Sequence, residues 1–192
     1  MENKIHKNLK FAGLIAKKSE EIRPVVEQIC EILKAQGIEL LLEEDGAEFF
    51  GLKSHTLAEI LKKTNFLISL GGDGTLIGLA RLLSDKNAFI LGINAGTLGF
   101  LTDVQPSEFA KFLKEFLHGE YEIERPFLLE VILENGGGKI IRKTAFNDVV
   151  ITRSHISSMA KIDAFLNRKY FNTYYGDGVI VSSAVGSTAY NM

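Results

Sequence analysis

Asn65-Phe66-Leu67-Ile68-Ser69-Leu70, followed at once by Gly71-Gly72-Asp73-Gly74-Thr75, reads as a buried strand running into a glycine turn. The apolar run is short and nearly unbroken, the pattern of a parallel strand covered on both faces. Beyond the turn, Leu76, Ile77, Leu79, Ala80, Leu82 and Leu83 keep helical spacing. The turn therefore lies where a strand ends and a helix begins. Glycines there let the backbone approach a ligand, and the helix start offers unpaired N–H groups to an anion. Asp73 is the odd element. A plain phosphate cradle would avoid a negative charge, so Asp73 points to a bound metal ion or to a proton acceptor. The other reading is a tight glycine turn in which Asp73 caps the helix.

Outward from this turn, strand alternates with helix. Leu9 to Ala16 reads as a strand; Ile22, Val25, Val26, Ile29, Ile32 and Leu33 mark one face of a helix, with Pro24 early where a helix tolerates it. Gly37 closes that helix, Ile38 to Leu42 makes a second strand, and a short helix around Thr56 to Leu61 leads into the third. A fourth strand, Ala88 to Ile93, runs into a second glycine-rich loop, Asn94-Ala95-Gly96-Thr97-Leu98-Gly99-Phe100. Phe109, Phe112, Leu113, Phe116 and Leu117 define another amphipathic helix behind Pro106. This alternation implies a parallel sheet with helices on both faces, whose ligands bind beyond the carboxyl ends of the strands. Both glycine loops follow strands, so both face that edge.

The texture changes near Glu124. Phe127 to Leu133 and Lys139 to Ala145 flank Glu134-Asn135-Gly136-Gly137-Gly138, a hairpin signal. Further strands are expected at Asp148 to Thr152, Met159 to Phe165, Tyr170 to Tyr175 and Val179 to Ser182, with a turn at Asn167-Arg168-Lys169. The expected fold is an N-terminal α/β domain with a parallel sheet (1–124, nucleotide-binding) followed by an all-β antiparallel sandwich domain (125–192).

Composition narrows the function classes. The chain has 192 residues, 46% of them hydrophobic, and a net charge of -2, which gives no sign of a nucleic-acid or membrane partner. The N-terminal residues lack the apolar core of a signal peptide, and no apolar run approaches the ~20 residues of a membrane span. The single cysteine, Cys30, excludes a disulfide framework and fits a reducing cytoplasm; it is expected in the core on the stripe of its helix. His6, His55, His118 and His155 have no mutual ligand spacing, so no transition-metal site is readable.

Three polar segments interrupt the β region. Asn147-Asp148 reads alone as a bulge or strand-start turn, Gly176-Asp177-Gly178 as a turn, and Gly186-Ser187-Thr188-Ala189-Tyr190 as a loop. The last joins small residues, hydroxyls and an aromatic, a set suited to close approach to a sugar or base. In this order, after Gly71-Gly72-Asp73-Gly74-Thr75 and the 94–100 loop, they resemble the NAD kinase family from Leu9 onward. The first motif alone is shared with diacylglycerol kinases, sphingosine kinases and phosphofructokinases; the later ones point to NAD kinases.

The resemblance implies transfer of the terminal phosphoryl group of ATP or polyphosphate to the 2′-hydroxyl of the adenosine ribose of NAD, with a divalent cation, Mg²⁺. By the same resemblance, Asp73 is the catalytic aspartate, and Gly71, Gly72, Gly74 and Thr75 contact nucleotide phosphates. Asn147 and Asp148 hold the adenine and ribose portions of NAD. Asp177, Thr188, Ala189 and Tyr190 complete the site, and Phe100 lies near the adenine. A cytoplasmic homo-oligomer, dimer or tetramer, is implied. Alternatives are a related lipid or sphingoid-base kinase and a non-catalytic dinucleotide-binding module.

Several positions depart from the family pattern. Asp148 stands where glutamate is usual, which shortens the reach of the carboxylate. Ser183-Ala184-Val185 replaces the usual Thr-Pro-Thr, removing a rigid proline and a hydroxyl. Tyr175, also taken with the site, occupies a position often basic in relatives, so a charge contact from a neighbouring subunit is not expected. Family members continue beyond the last motif, so Asn191-Met192 is expected to close a fragment of a longer protein.

Overall fold

The structure, a computed structural model, describes residues 5–96, 99–102, 104–155 and 158–188, of the last only the backbone. The chain divides into two compact units, Met1–Ile123 and Glu124–Met192.

In the first unit the elements are β1 (Phe11–Ala16), α1 (Arg23–Ala35), β2 (Glu39–Glu43), α2 (Glu44–Phe50), β3 (Ser54–His55), α3 (Leu57–Lys63), β4 (Phe66–Gly71), α4 (Asp73–Leu82), β5 (Phe89–Asn94) and α5 (Phe109–His118). The strands form one parallel sheet in the order β3-β2-β1-β4-β5. The chain builds outward from β1 through β2 and β3, then returns to add β4 on the other side. The order thus reverses between β1 and β4, the place where open α/β sheets bind ligands beyond the strand ends. The Lys17 N–H donates to the Leu70 carbonyl (2.9 Å), carrying the β1–β4 ladder to that edge.

All six residues of β4 are buried, as a parallel strand covered on both faces must be. Its side chains alternate between two cores. Phe66, Ile68 and Leu70 pack with Val26, Ile29 and Leu33 of α1 and Phe109, Leu113 and Phe116 of α5. Leu67 faces the other way, onto Ile60 of α3 and Leu79 of α4.

Local signals set the helix ends. Thr56 caps α3 in a reciprocal box: its hydroxyl accepts from the Glu59 N–H (3.1 Å) and the Glu59 carboxylate accepts from the Thr56 N–H (2.8 Å). These two hydrogen bonds hold the Glu59 carboxyl below its usual range. The expected helix at 56–61 is this one, begun one residue later and extended to Lys63. The short α2, closed by Gly51 at φ 68°, and the two-residue β3 are additions to the expected order.

Cys30 corrects the sequence reading: its side chain is exposed, not in the core. The buried stripe of α1 centres on Ile29, and the next residue is turned by about 100° around the helix axis.

The second unit contains β6 (Leu129–Glu134), β7 (Ile140–Ala145), β8 (Asp148–Thr152), β9 (Ala160–Leu166), β10 (Lys169–Gly176) and β11 (Gly178–Ser182). Its ladders, β6–β7, β8–β11 and β9–β10, are all antiparallel. The β6–β7 loop is tied by Asn135, whose Oδ1 accepts from Gly137 and Lys139 N–H, and Gly138 turns at φ 77°. Asn167 and Arg168 both take positive φ (50° and 66°), the two-residue turn that matches strand twist. Lys169 belongs to the strand that follows.

Leu67 and its neighbour Ser69 separate packing from polarity within one strand. Leu67→Ala is expected to cost about 2–5 kcal/mol, as a large-to-small change at a fully buried site. Ser69 is equally buried, with its hydroxyl unpaired among the described residues, so Ser69→Ala should leave stability within about 1 kcal/mol or raise it. Urea unfolding of both variants measures the difference; equal losses would contradict it.

Candidate functional site

The first glycine turn is shaped by contact at one residue and by emptiness at two. A Cβ on Gly71 would overlap the Thr75 hydroxyl, so the first turn of α4 lies directly on the end of β4. Gly72 and Gly74 have nothing within 4 Å of where a Cβ would stand. Their backbone is open to an incoming group, and the first N–H groups of a helix have no intrahelical acceptor. The structure thus gathers Gly71, Gly72, Asp73, Gly74 and Thr75 at the sheet reversal.

Gly72, not Asp73, is the residue before α4, and no side chain caps the helix. Asp73 is already helical, and its carboxylate reaches across to the second loop. Oδ2 accepts from the Phe100 N–H (2.9 Å), and Oδ1 from the Leu101 N–H (3.1 Å) and, at a long 3.4 Å, the Thr102 hydroxyl. That loop is tied back to the first. Gly71 pairs with Asn94 in the β4–β5 ladder, and the Ala95 N–H donates to the Gly71 carbonyl (3.0 Å). Asn94 is buried, and its Oδ1 accepts from the Gly96 N–H (3.0 Å). Phe100 holds its ring in the open, 81% exposed, while its N–H is spent on Asp73.

In the second unit, Asn147-Asp148 and Gly186 come together through Ser183. The Ser183 N–H donates to the Asn147 carbonyl (2.7 Å). Its hydroxyl donates to the Phe146 carbonyl (2.7 Å) and accepts from the Gly186 N–H (3.2 Å). A Cβ on Gly186 would overlap the Asn147 backbone, so the two segments touch main chain to main chain. Asn147 Oδ1 is buried without a partner among the described residues.

Asp177 stands apart from Asp148. In the β8–β11 ladder Ser182 pairs with Asp148 and Gly178 with Thr152, so Asp177 lies beyond the opposite end, about 17 Å along the strands. Its exposed carboxylate pairs with the partly buried Arg153 (3.1 Å), whose backbone N–H also donates to the Asp177 carbonyl (2.9 Å). Tyr175 is exposed on β10. The Thr188 side chain, Ala189 and Tyr190 lie outside the described residues.

Comparison with known families decides the affiliation. The profile described as ATP-NAD kinase N-terminal domain matches residues 12–121, and that of the ATP-NAD kinase C-terminal domain matches 146–192. The chain belongs to the NAD kinase family. A protein named NAD kinase from Campylobacter jejuni strain 81-176 is 45% identical, over 100% of this chain and 68% of its own length. One from Sulfurimonas denitrificans is 40% identical, over 100% of this chain and 66% of its own. The crystal structure of yeast NADH kinase complexed with NADH shares the fold at a TM-score of 0.85 and 22% identity, covering 95% of this chain and 60% of that one. The chain thus spans about two thirds of the length of these relatives.

Within this NAD kinase frame, sequence reasoning singled out Asp73 and Phe100 and placed the 94–100 loop at the site, but gave Asn94 and Gly99 no role of their own and missed Leu101 and Thr102. Two of these act through backbone N–H groups or a missing side chain, which leave little mark in sequence. Among the described residues no group of three or more His, Cys, Asp or Glu able to hold a metal occurs. Both Asp73 oxygens are already turned to N–H donors.

Ser183→Ala should strand the Phe146 carbonyl and the Gly186 N–H, costing about 1–3 kcal/mol, with Ser183→Thr retaining most of it. Thermal unfolding compares the two; equal stability of Ala and wild type would show the hydroxyl to be idle.

Proposed function

We propose that the protein phosphorylates the 2′-hydroxyl of the adenosine ribose of NAD, taking the terminal phosphoryl group of ATP or polyphosphate. The observation that carries this reading is the Asp73 carboxylate, fixed at the sheet reversal by the Phe100 and Leu101 N–H groups. A carboxylate oxygen that accepts one hydrogen bond keeps a further lone pair, so Asp73 remains able to take a proton. As the ribose oxygen bonds to phosphorus and the bridging P–O bond of ATP breaks, its proton passes to Asp73 and ADP leaves. Phosphoryl transfer depends on positioning and charge neutralisation rather than on covalent catalysis. The open backbone at Gly72 and Gly74 suits phosphate oxygens, with Gly71 and Thr75 shaping the turn. A divalent cation would arrive with the nucleotide phosphates, which commonly supply its ligands.

Residues of the second unit are proposed to bind NAD. Asn147 offers a buried acceptor, unpaired among the described residues, suited to the exocyclic amine of adenine. Asp148, half-buried at the start of β8, would take a ribose hydroxyl. Phe100, Asp177, Tyr175, Thr188, Ala189 and Tyr190 are assigned to the dinucleotide by family resemblance, and the domain roles at 1–124 and 125–192 follow. A cytoplasmic location is consistent with the lone Cys30 and with the lack, among the described residues, of a helix long and apolar enough to cross a membrane.

A homo-oligomer is proposed as well, supported by Phe165, Leu166, Tyr170 and Phe171, which leave a large apolar area exposed on the β9–β10 hairpin. Light scattering should report a dimer or tetramer; a monomer at micromolar concentration would refute it.

Purified full-length protein given NAD, ATP and Mg²⁺ should form NADP. Asp73→Asn is expected to lower turnover by about 10²–10⁴-fold with NAD binding retained. Asp148→Ala should instead raise KM for NAD, since a contact made equally in ground and transition states contributes uniform binding. Absence of NADP from wild-type protein would overturn the reading, and near-normal turnover of Asp73→Asn would remove Asp73 from the chemistry.

A further inference from the structure

Gly99 stands where the second loop meets Asp73. Space at this position demands glycine. A Cβ built on Gly99 would overlap Asp73 Oδ1 and stand only 2.7 Å from its Cγ and 3.0 Å from Oδ2. Gly96, in the same loop, has nothing within 4 Å of its Cβ position.

The carboxylate cannot yield cheaply. Oδ2 is held by the N–H of Phe100 and Oδ1 by that of Leu101, the two residues immediately after Gly99. Turning the carboxylate away from a new methyl group breaks those bonds; drawing the loop back breaks them too. The missing side chain is what lets residues 99–101 close over the acid.

We propose that Gly99 is a positioning residue for phosphoryl transfer: its lack of a Cβ sets the Asp73 carboxylate against the Phe100 and Leu101 N–H groups in the orientation that receives the ribose proton. The proposal rests on Asp73 being the proton acceptor. Gly99 touches no substrate itself, and its effect passes wholly through Asp73. Misplacement of a catalytic group by about 1 Å can cost on the order of 10²-fold in rate.

The test is a double-mutant cycle in the NADP-forming assay on the purified full-length protein. Gly99→Ala should lower kcat by about 10²-fold, with KM for NAD and ATP within about twofold of wild type. Gly78→Ala, an exposed position in α4 with open space around it, should leave both parameters unchanged. In an Asp73→Ala background, which removes the overlapped carboxylate, adding Gly99→Ala should change kcat by no more than about twofold. Should Gly99→Ala fold poorly, the Asp73→Ala/Gly99→Ala protein should recover the melting temperature of Asp73→Ala, because the overlap is gone. A wild-type kcat for Gly99→Ala, multiplicative losses in the double mutant, or no recovery of the melting temperature would each overturn the proposal. If Asp73→Ala alone kept wild-type turnover, the proton-acceptor reading would fall and this inference with it. An inactive Asp73→Ala beside an unimpaired Gly99→Ala would sink this inference alone.

Discussion

The pairing of β4 with β1 on one side and β5 on the other fixes where everything else in the first unit can be. Both ladders stay in register to their ends, Ala16 opposite Leu70 and Gly71 opposite Asn94. The strands therefore release their glycine loops at the same edge, side by side. A slip of one residue would turn Leu67 toward α1 and send Ile68 to the opposite core, so burial on both faces holds the register. Given that register, α4 has to begin beside the loop that leaves β5. The contact between Asp73 and the amides of Phe100 and Leu101 follows from it.

The second unit uses a related device without a helix. Gly186 lies against the Asn147 backbone as Gly99 lies against Asp73, and in both places a missing Cβ allows a main chain to close on its neighbour. Ser183 supplies the polar half of the contact, satisfying the Phe146 carbonyl and the Gly186 N–H. Buried backbone groups must find such partners, and a small hydroxyl meets two at once.

The elements that sequence made legible are those with long periodicity or sharp punctuation. The apolar stripes of α1 and α5, the unbroken run of β4 and the glycine breaks around it locate the sheet and its functional edge. α2, Glu44 to Phe50, escaped because Glu43 caps it and Gly46 interrupts it, whereas the equally short α3 opens on a Thr56 cap, and β3 escaped because two residues show no pattern. Cys30 was misplaced because a residue one step past the centre of a stripe still looks periodic. At the site, the glycines and Asp73 stood out as an anomaly of charge in an anion-binding turn. Their partners did not. The bonds from Phe100 and Leu101 span 27 and 28 residues and use backbone groups common to nearly every amino acid. Such a contact is visible only once the fold has formed. The separation of Asp148 from Asp177 depends likewise on ladder register, which spacing along the chain does not reveal.

Holding an acid by main-chain donors has a consequence for how this loop can vary. Phe100 and Leu101 contribute their N–H groups whatever side chains they bear, so nearly any replacement there leaves the hold on Asp73 in place. Proline alone abolishes the donor outright. The exposed ring of Phe100 can be exchanged to suit a different ligand while the geometry beneath it is inherited unchanged. The orientation of the acid is thereby uncoupled from whatever the loop recognises, and the two can drift at separate rates.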